Sequence, residues 1–216
     1  MAIKLILVRH GETDWNIQQR YQGHTDINLN ETGINQAKRL ARELKSEKID
    51  AIYSSDLTRA VQTAAIINDG RNLPIHQLWE LRECSFGIWE GKTFKEMEQH
   101  FPEEVARIKG DPVKQIRTGG ESRDQLSTRI GQAIQQIIDT HQNQSVLIVA
   151  HGGALAVAME YITGEGLIAR SKYWLENAGY HILECNNRNC NIIHCGTPVE
   201  KKKPEVRGQK SEKNRR

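Results

Sequence analysis

With 216 residues, 38% of them hydrophobic and 26% charged, the chain can bury a full core in one domain of about 200 residues. The formal net charge of +3 hides an asymmetry: residues 199–216 hold eight Lys or Arg against three Glu, leaving residues 1–198 at −2. The folded part therefore lacks the basic face of a nucleic-acid binder, and no stretch nears the roughly 20 apolar residues of a bilayer span. Nucleic-acid and membrane functions are set aside on these grounds.

Ile3 to Val8 is apolar apart from Lys4, short, and rich in β-branched residues, which predicts a strand. It runs directly into Arg9, so it lacks the core of a signal peptide, and a cytoplasmic protein is expected. Arg9 and His10 leave this strand at its carboxyl end, the edge where open α/β sheets bind ligands. Two further apolar runs end alike: Ala51 to Tyr53 gives way to Ser54, Ser55 and Asp56, and Val146 to Ala150 to His151, Gly152 and Gly153. Three strands thus deliver polar groups to one edge.

Between them, Asn30 is expected to cap a helix of about 31–48, with Ile34, Ala37, Leu40, Ala41 and Leu44 on one stripe. Asp56 is expected to cap a second helix over about 57–68, which places Arg59 in its first turn. A short strand over 75–79 precedes a loop held by glycines and aromatics, Leu81 to Gly91. Thr93 with Glu96 forms a capping box for a helical excursion, and Pro102 breaks or restarts it. After Gly119 and Gly120, Ser122 opens a long amphipathic helix to about His141, and a helix of about 154–163 follows His151. Two strands, 180–185 and 191–195, flank a turn at 186–189. Alternation of strand and helix predicts an α/β fold with a mainly parallel sheet, helices on both faces and one antiparallel edge strand.

The boundaries expected are a domain over 1–198, with a cap region of about 92–122, and a basic disordered tail over 199–216. The tail reads as a solvated extension rather than a nucleic-acid arm. Cys185, Cys190 and Cys195 do not follow the tight knuckle spacing of structural zinc, so reduced thiols in or beside a late hairpin are the expectation.

The clustered residue types suit phosphate chemistry. A phosphate monoester is close to a dianion near neutral pH, and Arg9 and Arg59 can each grip two of its oxygens without ever losing charge. If one ring nitrogen of His10 donates to a backbone carbonyl, the other holds a lone pair that can attack phosphorus. His151, at a helix N-terminus, can donate to the transferring oxygens. The departing alkoxide needs a proton, and a carboxyl beside the dianion can supply it; Glu83 is the first choice, with Glu80 and Glu90 as chemical rivals. Taken singly, each residue has a duller reading: a core-edge histidine, a solvated helix arginine, a strand end, or Glu83 paired with Arg82 on the surface. Four such residues converging on one chemistry reverse that balance.

The motifs LVRHGETDWN (7–16), RYQGHTDINLNETG (20–33), SSDLTRAVQTA (54–64), LRECSFGIWEG (81–91), GGES (119–122) and VAHGG (149–153) resemble, in order and completeness, the histidine phosphatase superfamily. Within it they resemble the cofactor-independent phosphoglycerate mutase-like phosphatases. The resemblance spans about residues 3–197. It implies a three-layer α/β/α sandwich with a helical cap, no metal and no cofactor, and a small phosphorylated metabolite as partner of a monomer or homodimer. Position by position it implies His10 as phosphorylated nucleophile and Glu83 as proton donor. Arg9, Arg59 and His151 become the phosphate pocket, and Thr13, Asn16, Gln22, Gly23 and Gly152 further contacts. Only residues 92–118 separate the two glycine blocks, shorter than the insertion of cofactor-dependent mutases, which favours hydrolysis over transfer. Mutase activity, α-ribazole or phosphoserine specificity, and a phosphate-binding protein without turnover are the alternatives.

Overall fold

The computed structural model describes residues 2–110, 116–166, 168–186 and 189–196. The basic tail lies outside the described residues. At the centre is a six-stranded sheet: β1 (Ala2–Arg9), β2 (Ala51–Ser55), β3 (Ile75–Leu78), β4 (Ser145–Ala150), β5 (Tyr180–Asn186) and β6 (Asn189–Cys195), in the order β3-β2-β4-β1-β5-β6. The pairs β1·β4, β2·β4 and β2·β3 are parallel, while β5 is antiparallel to both of its neighbours. The expected antiparallel edge is thus the hairpin β5–β6.

The apolar run of β1 reflects burial on both faces, as parallel strands require. Leu5 and Leu7 face one layer and Ile6 and Val8 the other, all four completely buried. The first layer is built from α6 (Arg123–Thr140) and α7 (Gly152–Thr163), through Leu126, Ile130, Ile134, Leu155 and Met159. The second is built from α2 (Glu31–Glu43) and α3 (Thr58–Ile67), through Leu40, Ala60, Ala64 and Ile67. Each fully buried Leu or Ile of these layers contributes about 1.5–3 kcal/mol. Three layers follow directly from the alternation of side chains along one strand.

A smaller third cluster of Trp89, Met97, Val105 and Ile108 holds the cap helices α4 (Phe94–His100) and α5 (Pro102–Gly110) against Tyr21, Phe86 and Ile88. The Thr93–Glu96 capping box is present, and Pro102 opens α5. Asn30 caps α2 by accepting from the Gly33 amide, and Ser122 caps α6.

Three expectations are corrected. The helix after Asn30 ends at Glu43 and tightens into a 3-10 turn over Leu44–Ser46, so it stops short of Lys48. Asp56 caps nothing: α3 begins at Thr58 without a side-chain cap, and both Asp56 oxygens accept from Arg82 at 2.6–2.7 Å. The late cysteines are not all reduced. Cys185 and Cys190 are directly opposed across the β5·β6 ladder and form a disulfide, leaving Cys84 and Cys195 free. Facing registers, which spacing alone does not reveal, bring these two sulfurs together.

Candidate active site

Register places the two histidines. Arg9 is paired with Ala150 across β1·β4, so the residues that follow, His10 and His151, leave the sheet side by side. Their rings lie 5.1 Å apart between centroids, tilted by 59°. Both are buried.

Hydrogen bonds give the two rings opposite tautomers. His10 Nδ1 lies 2.7 Å from the Gly11 carbonyl, which can only accept, so Nδ1 carries the proton and Nε2 keeps its lone pair. In His151 the roles invert: Nδ1 accepts from Arg59 Nε at 3.2 Å, which leaves the proton on Nε2, a buried atom with no protein partner. Burial, reinforced by the positive charge of Arg59 and Arg9, holds both imidazoles well below their ordinary value; His10 further lowers His151, and the Gly11 bond only partly opposes burial at His10. The pair is therefore neutral at physiological pH, one ring a base and the other a donor.

Arg59, in the first turn of α3, is completely buried. Its two terminal nitrogens donate to the carbonyls of Thr25 and Gly23 at 2.8 Å each. Burial lowers the guanidinium to about 10, with Glu83, Asp26 and Glu90 opposing, so it stays charged near neutral pH. Thr63, one turn along α3, donates to the Arg59 carbonyl and accepts from the Gly11 amide, tying the helix to the loop after His10. Arg9 donates to the Leu175 carbonyl at 2.6 Å, while its Nε is buried without a protein partner. Burial lowers Arg9, and the carboxylates of Glu83 and Glu176 oppose that.

Glu83 does not pair with Arg82, which is taken by Asp56. Its carboxylate sits on the N-terminus of α7, accepting from the amides of Gly153 at 2.9 Å, Ala154 at 3.1 Å and its own neighbour Cys84 at 2.9 Å. A Cβ at Gly153 would lie 2.4 Å from Glu83 Oε1, so the second glycine of the VAHGG block is what lets the carboxyl approach. Of its rivals, Glu90 is spent on the opposite loop: it accepts from the amides of His24, Thr25 and Phe86 and from the Thr25 hydroxyl. Burial pushes Glu90 up, but these bonds outweigh it and leave the carboxyl lowered. Glu80 presents its backbone carbonyl, not its carboxyl, to the site's supporting network.

Thr13 and Asn16 meet in a capping box at α1 (Asp14–Ile17), with Asn16 Oδ1 accepting from both the amide and the hydroxyl of Thr13 at 3.0 Å. Gly23 supplies a carbonyl to Arg59 at a left-handed φ of +55°, where a Cβ would strike Glu90. Gln22 is buried with its Oε1 unpartnered. Gly152 opens α7 beside Arg9: a Cβ there would stand 3.4 Å from Arg9 Cζ.

Three supporting residues escaped sequence reasoning. Asn177 donates to the His10 carbonyl at 3.1 Å and reaches the Gly11 carbonyl and Asn16 Oδ1 at 3.3 Å, stitching His10 to α1. Arg129, buried in α6, donates to the carbonyls of Glu80, Arg82 and Glu83 and is paired through two nitrogens with Glu121 of the GGES block. His24 Nε2 donates to the Glu83 carbonyl at 2.9 Å. Only Glu121 and His24 lay inside quoted motifs; the amphipathic pattern of α6 gives no hint that Arg129 turns inward. Finally, the backbones of Gly11 and Gly33 touch: a Cβ at Gly11 would be 2.5 Å from the Gly33 carbonyl oxygen, and one at Gly33 would be 2.1 Å from that of Glu12. Among the described residues no three His, Cys, Asp or Glu side chains are grouped to hold a metal ion, and no helix is long and apolar enough to cross a membrane.

A neutral imidazole base, a neutral imidazole donor and two cations thus meet at the carboxyl edge of the parallel strands, a set of groups suited to phosphoryl chemistry. Residues 5–197 match the model of the histidine phosphatase superfamily, branch 1, and the chain belongs to that family. It is 36% identical to phosphoserine phosphatase 1 of Hydrogenobacter thermophilus over 88% of this chain and 90% of that one. It is 39% identical to the metal-independent phosphoserine phosphatase of Arabidopsis thaliana over 74% and 68% of the two chains. Among solved structures, the α-ribazole phosphatase of Shigella flexneri superposes with a TM-score of 0.85 at 28% identity, covering 90% of this chain and 96% of that one.

Proposed function

We propose that this chain is a metal-independent phosphomonoesterase that hydrolyses small phosphorylated metabolites through a phosphohistidine on His10. The carrying observation is the opposed tautomers: His10 Nε2 offers a lone pair where His151 Nε2 offers a proton. In the first step the His10 lone pair attacks phosphorus and the ester P–O bond breaks. Glu83, entering this step protonated, gives its proton to the leaving oxygen, which departs as an alcohol. Arg9, Arg59 and His151 offset the charge on the transferring oxygens. In the second step Glu83, now a carboxylate, takes a proton from water; the water oxygen bonds to phosphorus, the P–N bond breaks, and phosphate leaves. His10 regains its lone pair and Glu83 its proton.

The contacts of Thr13, Asn16, Gln22, Gly23 and Gly152 belong to the same reading. Gly152 and Gly23 leave room and supply backbone, Thr13 and Asn16 shape the loop after His10, and the buried Gln22 has in its side-chain NH2 a donor for a phosphate oxygen. Within the family we place the chain with the phosphoglycerate mutase-like phosphatases. The similarity to proteins named as phosphoserine and α-ribazole phosphatases, together with the short cap, supports hydrolysis over mutase transfer.

The test is a screen of metabolite phosphates with chelator present, followed by rapid quenching. Turnover should survive chelation, and one phosphoryl group should appear on the peptide that contains His10. His10→Ala should lose both the label and at least about 10⁴-fold in rate. Retained turnover in that variant excludes the mechanism. Tight binding of phosphate esters without turnover would favour a binding protein, and conversion of 3-phosphoglycerate to its 2-isomer without phosphate release would favour a mutase.

A further inference from the structure

The segment 173–176 alternates inward and outward like a short strand. Tyr173 and Leu175 are 4% and 2% exposed, whereas Trp174 between them is 46% exposed. That indole is not isolated on the surface. Its ring lies 5.2 Å from Arg9 Cζ, within cation–π range, and a Cβ built on Gly152 would be 2.8 Å from its Cη2 atom. Trp174 therefore covers one side of the Arg9 guanidinium and of Gly152, both proposed phosphate contacts, and keeps almost half its surface in solvent. The Leu175 carbonyl fixes Arg9 from the same segment, so the indole's place relative to the phosphate site is set by backbone as well as by stacking.

Resting on the phosphate-pocket reading of Arg9 and His10, we propose that Trp174 selects the leaving group, its free surface stacking against a planar ring carried by the substrate's alcohol. The preferred esters are then those of ring-bearing alcohols, neutral or cationic, over small acidic ones. Charge argues for the second half of that statement. Glu176, exposed two residues along the same outward face, is close enough to act on Arg9, and it opposes a second anion on this side of the pocket. A stacked ring gains contact area from an indole already held in place, so little ordering accompanies binding.

The test uses two phosphonates, which bind as phosphate esters do but cannot be hydrolysed: 1-naphthylmethylphosphonate, which carries a ring, and methylphosphonate, which does not. Calorimetry on the full chain should show the naphthyl compound binding about tenfold more tightly. Trp174→Leu should reduce that preference to about twofold while changing methylphosphonate binding by less than about twofold, and Trp174→Phe should restore most of it. A ratio near one in the unmodified chain overturns the proposal without recourse to any variant. So does equal weakening of both ligands by Trp174→Leu, which would make the indole a support for Arg9 alone. Binding of neither phosphonate overturns the pocket reading and the proposal together. The expected ratio in a protein that forms no phosphohistidine would leave Trp174 its role and remove only the hydrolytic step.

Discussion

The half of the site proposed to hold phosphate and the half that carries the proposed acid are built by different means. His10, His151 and Arg9 stand where they do because β1 and β4 are in register, and a few hydrogen bonds through the His10 ring, Thr63 and Asn177 finish the work. Glu83 sits on a loop without strand or helix, between two 3-10 turns, Trp79–Leu81 and Gly87–Trp89. Its backbone is held by side chains from afar: Arg129 across 46 positions and His24 across 59. A sheet edge thus holds His10, the proposed nucleophile, largely by topology, whereas Glu83, the proposed proton donor, depends on a polar network that single substitutions can dismantle.

Glu83→Gln sharpens the contrast most directly. Hydrolysis of alkyl phosphates should fall by about 10²- to 10⁴-fold, and that of p-nitrophenyl phosphate far less, because its leaving group needs little protonation. Equal slowing of both would remove Glu83 from the acid role. Arg129→Ala should come next in size. It leaves Glu121 without its cation and the Glu80 and Arg82 carbonyls without that donor, the Glu83 carbonyl keeping only His24, at a cost of about 3–5 kcal/mol, read as a fall in Tm of about 10 °C or more. A near-unchanged Tm would show that the acid loop holds itself. Gly153→Ala tests the approach of the acid to α7. The added Cβ must displace Glu83, so kcat on alkyl phosphates should drop by roughly 10- to 100-fold with KM little changed, since the interaction lost is made in the transition state.

The smallest effect probes the sheet-edge half. Both imidazoles have depressed values in the folded state, so the unfolded chain binds protons below about pH 6.5 that the folded chain refuses. Their contribution to stability is full above that pH and is lost as pH falls, by about 1.4 kcal/mol per unit for each ring. Urea unfolding between pH 7.5 and 5.5 should show this slope, and His10→Gln should flatten it by the share of one ring. An unaltered slope would mean that His10 is not held neutral.

The same division explains what the sequence disclosed. Strand β1, the caps at Asn30, Thr93 and Ser122, and the restart at Pro102 follow from local rules that act within a few residues. The histidine edge was readable too, because strands that end together bring their next residues together. What escaped was decided by which residues pair, near or far in the chain. Asp56 has the right chemistry for a cap, but Arg82 offers it two charge-assisted bonds. Cys185 and Cys190 required a register, and Arg129 required knowledge of which loop α6 covers. Asn177 lies in a segment without periodicity, and its role is visible only once β5 has brought it back beside β1.

The contact between Gly11 and Gly33 couples the loop after the nucleophile to the entry of α2 with no side chain between them. Such a joint has no adjustable part. A larger residue at either position cannot be absorbed by a new rotamer, so it must shift main chain, and the ring of His10 would travel with it. Engineering that retunes the outer surface of α2 should therefore be tolerated freely, while lengthening or re-angling its first turn should be felt one residue away from the His10 imidazole.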